Sequence, residues 1–379
     1  MRRRDILKWT LAGLAAETAG PGVLAIAADP RLSGQGGNGL PFDRMAAHIV
    51  RALKPARGER AMLRFDTELM PGLLRETRRQ MAAAGAVVEV LSYGAAENFE
   101  QRLAETDIYV WLPASPGPTG VTPGDQAAAL VRWLDAGRGR QIHFHWADGT
   151  RGEDSSNGQH SEVFDQIYLD ALEIDYAALD QQMEETIARL RSAEVNVETP
   201  QGTDLRFRLG DRPVCKQNGD ASRERMKSAR MRIDREIELP AGALRMAPLE
   251  ESVKGRIVIP RATLGGAAVR DIELNFKKGV VSGYGAANGQ EFLRRTLDSN
   301  RALKHFREFA LGLNSKLIKP ADSRWVPYYG YGAGMVRLSL GDNEELGGAV
   351  RGGAVRWFFF PGATVRAGSQ IICENGVLK

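Results

Sequence analysis

Residues 141–146 read Gln-Ile-His-Phe-His-Trp, which we predict to form a β-strand. It is the fourth such strand after Pro41, and the three before it span residues 61–65, 87–91 and 106–112. Apolar residues at helical spacing fill the intervals between these strands. Strands that alternate with helices at this spacing predict a parallel sheet with helices on both faces. We therefore predict an α/β domain over residues 41–180.

The pattern changes after residue 180, where short strands are separated by turn residues. These predicted strands cover residues 195–199, 204–209, 256–259, 271–276, 279–283, 335–340 and 354–360. Lys277-Lys278-Gly279 is typical of a hairpin turn. Apolar spacing predicts helices over residues 291–297 and 300–309, which would place Glu308 on a helix. We predict a β-rich α+β domain over residues 181–379.

Length and charge limit the classes of function. A chain of 379 residues with 43% apolar and 26% charged residues is typical of a two-domain globular protein. The net charge of +4 is small for this length, so neither a nucleic-acid partner nor a membrane-binding basic surface is expected.

The N-terminus resembles an export signal. Arg2-Arg3-Arg4 and Leu7-Lys8 precede a mildly apolar run, and Ala25 and Ala27 have the spacing of a cleavage site. We predict a twin-arginine signal over residues 1–28 and a flexible tether over residues 29–40, hence a periplasmic or secreted protein without a membrane anchor once the signal is removed. The alternative is a basic amphipathic helix.

Cys215 and Cys373 are the only cysteines of the chain. An oxidising compartment would permit a disulfide between them. The alternative is two separately buried side chains, since the two residues share no motif spacing.

Four segments of the second half carry a family resemblance. They read Leu239-Pro-Ala-Gly, Ala247-Pro-Leu-Glu-Glu-Ser-Val-Lys-Gly, Glu308-Phe-Ala-Leu-Gly-Leu-Asn, and Leu340-Gly followed by Gly347-Gly348. In order and spacing they resemble the aminopeptidase T-like metallopeptidases, which include thermophilic metalloproteases and leucyl aminopeptidases. The resemblance implies an α/β domain followed by a β-rich domain, a homodimer, and removal of N-terminal residues from peptides by two divalent metal ions such as zinc, cobalt or manganese.

The residues at the positions of the family's metal ligands do not support that chemistry. The resemblance places these positions at Ala243, Glu308, Arg337, a residue near Glu344, and the triplet Arg356-Trp357-Phe358. Only Glu308 keeps the expected residue type, so it is the one candidate catalytic residue. The related dihydroxypyridine dioxygenases bind iron through a His and an Asp of the same triplet, which Arg356 and Phe358 also exclude.

Arginine cannot replace a metal ligand, because its guanidinium group has no available lone pair and stays protonated. We therefore expect no cofactor. Our first hypothesis is a non-catalytic or redirected homologue in which Glu308 and the ligand-binding residues Arg337, Arg356 and Glu344 hold a small anionic or peptidic ligand. A purely structural ion pair in a relic cavity is its alternative.

Two further functions stay open from the sequence. An active metallo-aminopeptidase would need ligands from elsewhere, for which Glu250, Glu251 and Glu344 are candidates, so whether the chain is an enzyme is undecided. A periplasmic interaction protein would use the aromatic-rich surface of the C-terminal domain. The aromatic residues in question could wall a cavity, contact a second subunit or pack in the core; they are Trp325, Tyr328, Tyr329 and Tyr331.

His143 and His145 have the spacing of two side chains on one face of a strand, and Asp148 and His160 follow them. Two histidines at i and i+2 with a carboxylate could hold a transition metal. The alternative is a pair of histidines packed under a loop, because the spacing fixes no third ligand.

Overall fold

The computed structural model describes residues 39–65, 70–93, 98–113, 124–146, 149–151, 162–320 and 325–379. The chain divides into two compact units, Met1–Trp146 with Gly219–Pro240, and Ala147–Asn218 with Ala241–Lys379. This division differs from the predicted boundary at residue 180. Gly219–Pro240 belongs to the first unit because its strand at Glu236–Leu239 pairs with the sheet of that unit.

Eight α-helices lie in the described part of the chain. They are α1 (Phe42–Leu53), α2 (Pro71–Ala83), α3 (Phe99–Ala104), α4 (Gly124–Asp135), α5 (Glu162–Leu172), α6 (Tyr176–Arg191), α7 (Arg223–Met226) and α8 (Gln290–Ser299). None of these helices combines the length and the apolar character that a membrane crossing requires.

Strand residues outnumber helical residues in the second unit, and strands form the centre of the first. They are β1 (Arg60–Phe65), β2 (Val87–Ser92), β3 (Ile108–Trp111), β4 (Arg140–Phe144), β5 (Gly149–Arg151), β6 (Val195–Glu198), β7 (Asp204–Phe207), β8 (Cys215–Gln217), β9 (Glu236–Leu239), β10 (Ala243–Met246), β11 (Lys254–Leu264), β12 (Ala267–Lys277), β13 (Val280–Asn288), β14 (Phe306–Gly312), β15 (Trp325–Pro327), β16 (Val336–Gly341), β17 (Val355–Phe360), β18 (Thr364–Ala367), β19 (Gln370–Glu374) and β20 (Val377–Leu378).

The first unit has a parallel sheet at its centre. Its strand order is β2-β1-β3-β4-β9, and every neighbouring pair is parallel. The four strands predicted from the sequence are all present, so the α/β prediction is confirmed. Helices α3 and α4 cover one face of this sheet with a cluster of buried apolar side chains that includes Tyr109, Leu130 and Trp133.

The second unit is built from antiparallel sheets, as predicted. One sheet has the order β17-β16-β14-β10-β8, and a larger one has the order β13-β12-β11-β7-β6-β18-β19-β20. The predicted hairpin joins β12 to β13, and its turn residues Lys278 and Gly279 have φ of 52° and 76°. Positive φ at both central residues matches the right-handed twist of the two strands.

The predicted helix over residues 300–309 is wrong in its second half. A short 3-10 helix at Arg301–Lys304 is followed by strand β14, so Glu308 lies on a strand. All seven residues of β14 are buried, because the strand lies at the centre of its sheet between β10 and β16. A strand buried on both faces has no polar alternation, and its apolar spacing can therefore match that of a helix.

Two of the family-like segments contact each other directly. Gly242 has φ of +137°, and a Cβ atom placed on it would lie 2.4 Å from Cβ of Asn314. The amide of Asn314 donates 2.7 Å to the carbonyl of Ala241, and Leu313 donates from its backbone to the carbonyl of Gly242. The Pro-Ala-Gly and Gly-Leu-Asn segments are thus joined by one side-chain and one backbone hydrogen bond, both to backbone carbonyls of the first segment.

Cys215 and Cys373 are both buried thiols in the structure rather than the two halves of a disulfide. They lie on β8 and β19. Of the two possibilities that the sequence left open, separate burial is the one that the structure has.

Candidate functional site

Five charged side chains of the second unit form a buried group, which we call the arginine-glutamate cluster. Its members are Arg245, Arg307, Glu308, Arg337 and Glu345. Glu308 Oε1 accepts from Nε of Arg245 at 2.6 Å and from Nη2 of Arg337 at 2.9 Å. Arg307 donates to Oε2 of Glu308. Glu345 accepts from both Arg245, at 3.1 Å, and Arg307.

Strand register explains why these residues meet. Arg245 on β10 and Arg337 on β16 are both paired with Ala310 on β14. Glu308 precedes Ala310 by two residues and so projects from the same face of the sheet. The small side chain of Ala310 leaves room for the two long arginine side chains to reach that carboxylate.

A β-bulge brings in the third arginine. The register between β14 and β16 shifts between Phe306 and Glu308, so Arg307 is the additional residue. A bulge disturbs the alternation of side chains, and Arg307 and Glu308 both contribute to the cluster although they are adjacent in sequence. Nε of Arg307 also donates 2.5 Å to the carbonyl of Asp342.

The cluster is almost closed to solvent. Glu308 is fully buried, and the side chains of Arg307 and Arg337 are each 2% exposed. Burial alone would raise the pKa of Glu308, but the adjacent charges of Arg245, Arg337 and Arg307 hold this pKa well below its ordinary value. Burial would likewise lower the pKa of Arg245, and the negative charges around it raise this pKa instead.

Arg337 is held additionally by its surroundings. Its Nη1 donates 3.0 Å to the carbonyl of Tyr329. Its guanidinium carbon lies 5.0 Å from the ring centroid of Trp357 and 5.9 Å from that of Tyr331. These distances are those of cation–π contacts, which are strongest where water is excluded.

The structure brings two of the predicted site residues together and separates two others. Glu308 and Arg337 share the cluster. Arg356 on β17 is paired with Leu340 on β16, and its side chain projects from the face of the sheet opposite to that of Trp357. Arg356 donates a hydrogen bond to the carbonyl of Thr263. Glu344 is half exposed and forms an ion pair of 2.9 Å with Arg351 outside the cluster. Its neighbour Glu345, rather than Glu344, belongs to the cluster.

The sequence interpretation missed Arg245, Arg307 and Glu345. A signal for Arg245 exists, since it follows Ala243 by two residues on one strand and so shares its face. No pattern in the sequence predicts the bulge that brings Arg307 into contact with Glu308.

A pair of divalent metal ions, which the family resemblance implies, does not fit this sheet face. Two such ions need converging carboxylates and imidazoles. Three guanidinium groups, which cannot ligate metals, surround Glu308 instead. The alternative ligand Glu250 also has another role, because its carboxylate accepts from Arg212 and from the backbone of Ala349.

Of the roles that the sequence left open for the aromatic residues, core packing is the one that Tyr329 and Tyr331 have. Tyr329 and Tyr331 are both buried, with ring centroids 6.4 Å apart, and Tyr329 lies 5.6 Å from Trp357. The side chains of Trp325 and Tyr328 lie outside the described residues.

A second polar group lies in the first unit and consists of His143, His145 and Glu238, which we call the His-His-Glu group. Nδ1 of His143 lies 3.6 Å from Oε1 of Glu238, and Nε2 of His145 lies 3.3 Å from Oε2. One nitrogen or oxygen from each residue falls within 4.8 Å of the other two. All three residues are buried, and such a group could hold a divalent metal ion.

Parallel register places this group at the carboxyl ends of the neighbouring strands β4 and β9. His143 on β4 is paired with Glu238 on β9 and, on its other side, with Trp111 on β3. His145 follows the end of β4, and its backbone N–H donates 3.0 Å to the carbonyl of Leu239. The carboxyl ends of parallel strands are where α/β sheets bind ligands.

The electrostatics of the group favour an ionised carboxylate. Burial would raise the pKa of Glu238, but interaction with His143 and His145 holds this pKa well below its ordinary value. The indole ring of Trp111 lies beside both histidines, with centroid separations of 5.9 Å and 4.7 Å.

The third member of this group differs from the one that the sequence suggested. Asp148 and His160 lie outside the described residues. Glu238 was missed because it is far along the chain and reaches His143 only through the return of β9 to the parallel sheet. A local motif cannot reveal such a pairing.

Comparisons with known proteins agree with this architecture. Residues 152–323 match the model of the family described as thermophilic metalloprotease (M29). A search of curated proteins finds no match.

Two solved structures are similar in fold. AmpT from Thermus thermophilus has a TM-score of 0.58 and 17% identity, with 89% of this chain and 98% of that chain covered. A 2,5-dihydroxypyridine dioxygenase from Pseudomonas putida has a TM-score of 0.60 and 15% identity, with 89% and 96% covered. Residues 152–323 are therefore similar to the thermophilic metalloprotease (M29) family, and the chain has the fold of AmpT.

Proposed function

We propose that this protein is a non-hydrolytic M29 homologue that binds the carboxylate of a small amino-acid or peptidic ligand at the arginine-glutamate cluster. The convergence of Arg245, Arg307 and Arg337 on Glu308 is the observation that carries the proposal. The family resemblance places the two metal ions of the peptidases on this face of the sheet. Fixed guanidinium groups supply positive charge there without a metal.

The charges of the cluster favour an anionic ligand. Its five side chains comprise three guanidinium groups and two carboxylates, so positive charge exceeds negative charge within the cluster itself. A buried charge is costly unless it is paired and hydrogen-bonded. A ligand carboxylate that displaces Glu345 would be held by the arginines through charge-assisted hydrogen bonds.

Glu345 indicates where such a ligand would bind. It lies on a one-turn 3-10 helix at Glu344–Leu346, and its side chain is 12% exposed, more than any other member of the cluster. Its carboxylate bridges Arg245 and Arg307, which is the position that a ligand carboxylate would take. Binding would thus exchange an internal carboxylate for an external one.

Thermal stabilisation by ligands tests this exchange. L-Leucine and leucyl-glycine carry the carboxylate, and L-leucinamide is the matched probe without it. We expect the two carboxylates to raise the melting temperature and the amide to leave it unchanged. In Glu345→Gln, which removes the competing carboxylate, the affinity for leucine should rise about tenfold, or about 1.4 kcal/mol.

Glu344→Gln is the control for this experiment, since Glu344 belongs to the same turn but pairs with Arg351 outside the cluster. Its leucine affinity should equal that of the wild type. Equal responses to leucine and leucinamide, or no response in any of the three chains, would refute ligand binding at the cluster.

Hydrolysis is tested separately with aminoacyl p-nitroanilides in the presence of Zn²⁺, Co²⁺ or Mn²⁺. We expect no activity that a chelator removes, because the donors around Glu308 are cationic. Chelator-sensitive hydrolysis by the wild-type chain would instead establish an active metallo-aminopeptidase.

Location and assembly belong to the same proposal. The arginines and apolar run of residues 1–28 support export by the twin-arginine route, and the family resemblance supports a homodimer. Substitution of Arg2, Arg3 and Arg4 by Lys should retain the protein in the cytoplasm if the route is correct. Light scattering of the mature chain should give twice the mass of one subunit, and a monomeric mass would refute the dimer.

A further inference from the structure

We propose that the His-His-Glu group of His143, His145 and Glu238 binds one Zn²⁺ ion in the parallel-sheet unit. This site is independent of the arginine-glutamate cluster, which lies in the other unit, and it does not depend on the carboxylate-binding proposal.

The separations between the donor atoms fit a tetrahedral zinc ion. Zinc bonds of about 2.0–2.1 Å at tetrahedral angles place neighbouring ligand atoms about 3.3 Å apart. Glu238 Oε2 lies 3.3 Å from Nε2 of His145, and the other oxygen of the same carboxylate, Oε1, lies 3.6 Å from Nδ1 of His143. One donor atom from each of the three residues falls within 4.8 Å of the other two, so the two imidazoles and one carboxylate oxygen need only draw closer together to hold one ion.

The donor types also suit zinc. Two imidazole nitrogens and one carboxylate oxygen are a ligand set that zinc accepts, and they leave a fourth position for water or another small ligand. The side chains of His145 and Glu238 are only 4% and 10% exposed, so the ion would be largely shielded from water. The negative charge of Glu238 would compensate half of the charge of the ion.

Gln141 contacts the ring nitrogen of His143 that does not face Glu238. Its side-chain amide lies 2.6 Å from Nε2 of His143, and its Oε1 is buried with no hydrogen-bond partner within the described part of the chain. The nitrogen and oxygen of such an amide exchange places by a half-turn. With Oε1 accepting from Nε2–H, the lone pair of His143 Nδ1 faces Glu238 and becomes available to the metal.

The competing arrangement is a metal-free ion pair between Glu238 and protonated histidines. The metal-free ion pair and the zinc site use the same three residues at similar distances. They differ in whether the group binds a metal ion. Zinc affinity and the spectrum of bound cobalt separate them.

The experiment measures Zn²⁺ binding to the mature chain by competition with a chromophoric chelator. The variants are His143→Gln, His145→Gln and Glu238→Gln, and the control is His305→Gln, whose ring contacts the carbonyl of Arg301 in the other unit. We expect one zinc per wild-type and control chain, and an affinity at least about a hundredfold weaker in each ligand variant. Gln141→Ala should weaken binding by about 10- to 100-fold, as loss of an outer-shell partner does.

Cobalt provides a test that does not depend on the folding of a variant. Co²⁺ in the wild-type chain should give the visible absorption bands of a tetrahedral N,O site, and it should quench the fluorescence of the adjacent Trp111. Trp111→Phe should keep the same cobalt stoichiometry and lose that part of the quenching.

Each outcome decides the matter. A folded wild-type chain that binds no zinc overturns the site and leaves the carboxylate-binding proposal intact. Zinc that survives the histidine substitutions also overturns the site, and if that zinc is lost in Glu308→Gln, the non-hydrolytic proposal fails with it. Loss of zinc in the three ligand variants alone, with correct folding shown by circular dichroism, establishes the site.

Discussion

Glu308 accepts a hydrogen bond of 2.6 Å from Nε of Arg245, a residue 63 positions earlier in the chain. The two residues lie on adjacent strands of one antiparallel sheet, and both are buried. Arg337 reaches the same carboxylate oxygen from the strand on the other side. One carboxylate therefore compensates arginines from two neighbouring strands.

Neutralising Glu308 should destabilise the protein strongly. Glu308→Gln leaves three buried guanidinium groups with Glu345 as the one carboxylate of the cluster, and loss of one partner of a buried ion pair costs about 3–5 kcal/mol. Urea unfolding followed by circular dichroism measures the free energy of unfolding. Glu291→Gln, which breaks an exposed pair with Arg295 on helix α8, is the control and should change it little. Equal effects of the two substitutions would show that the cluster contributes no net stability.

The buried pair of Glu59 and Arg140 should make stability depend on pH. Arg140 donates to both carboxylate oxygens at 2.8 Å, and Ala56 donates from its backbone at 2.7 Å. Burial would raise the pKa of Glu59, but these hydrogen bonds and the charge of Arg140 lower it below its ordinary value of 4.5. Ionised Glu59 thus stabilises the fold above pH 4.5, and this stabilisation is lost as the pH falls through the lower folded-state pKa.

Urea unfolding of the wild type and of Glu59→Gln between pH 7 and pH 3 measures that dependence. We expect the difference between their free energies of unfolding to be largest at neutral pH and to shrink below pH 4.5. Glu105→Gln, which breaks an exposed pair with Arg60, should differ little from the wild type at every pH. A difference for Glu59→Gln that is constant with pH would contradict the role of its charge.

Gly242 should not tolerate a side chain. Alanine there would be strained by φ of +137°, and its Cβ would lie 2.4 Å from Cβ of Asn314. We expect Gly242→Ala to lower the free energy of unfolding by about 1–3 kcal/mol from backbone strain alone. Gly285→Ala is the control, because no atom lies within 4 Å of its added Cβ. Similar stability of the two variants would refute the contact.

Cys373 should be slow to react in the folded protein. Burial raises the pKa of its thiol to about 11, so little thiolate is present at neutral pH. We expect Ellman's reagent to label Cys373 slowly in buffer and rapidly in guanidinium chloride, with Cys373→Ser identifying the signal. Failure of this residue to react after unfolding without reductant would point to a disulfide.

Local periodicity made much of the fold predictable. The parallel sheet follows from alternating strands and helices, and its four predicted strands are present at residues 60–65, 87–92, 108–111 and 140–144. Strand β14 was predicted as a helix because a strand buried on both faces has no polar alternation. Periodicity therefore identified the strands that alternate with helices, including the fully buried β4, and failed at β14.

The sites were predictable only in part, because they depend on pairing between distant segments. Glu308 and Arg337 were identified from the resemblance. Arg356 was placed with them, although its side chain projects from the face of the sheet opposite to Glu308 and Arg337. Successive side chains of a strand alternate between the two faces, so a misplacement by one residue changes the face. Glu238 needed knowledge that β9 pairs with β4, which no local pattern contains.

The hydrogen bonds that Asn314 and Leu313 donate to the carbonyls of Ala241 and Gly242 have a consequence for the side chain at residue 243. They hold the strand that begins at Ala243 by backbone groups, which every side chain at that position leaves intact. The side chain at residue 243 can therefore change without loss of these hydrogen bonds, because both acceptors are backbone carbonyls of the two preceding residues.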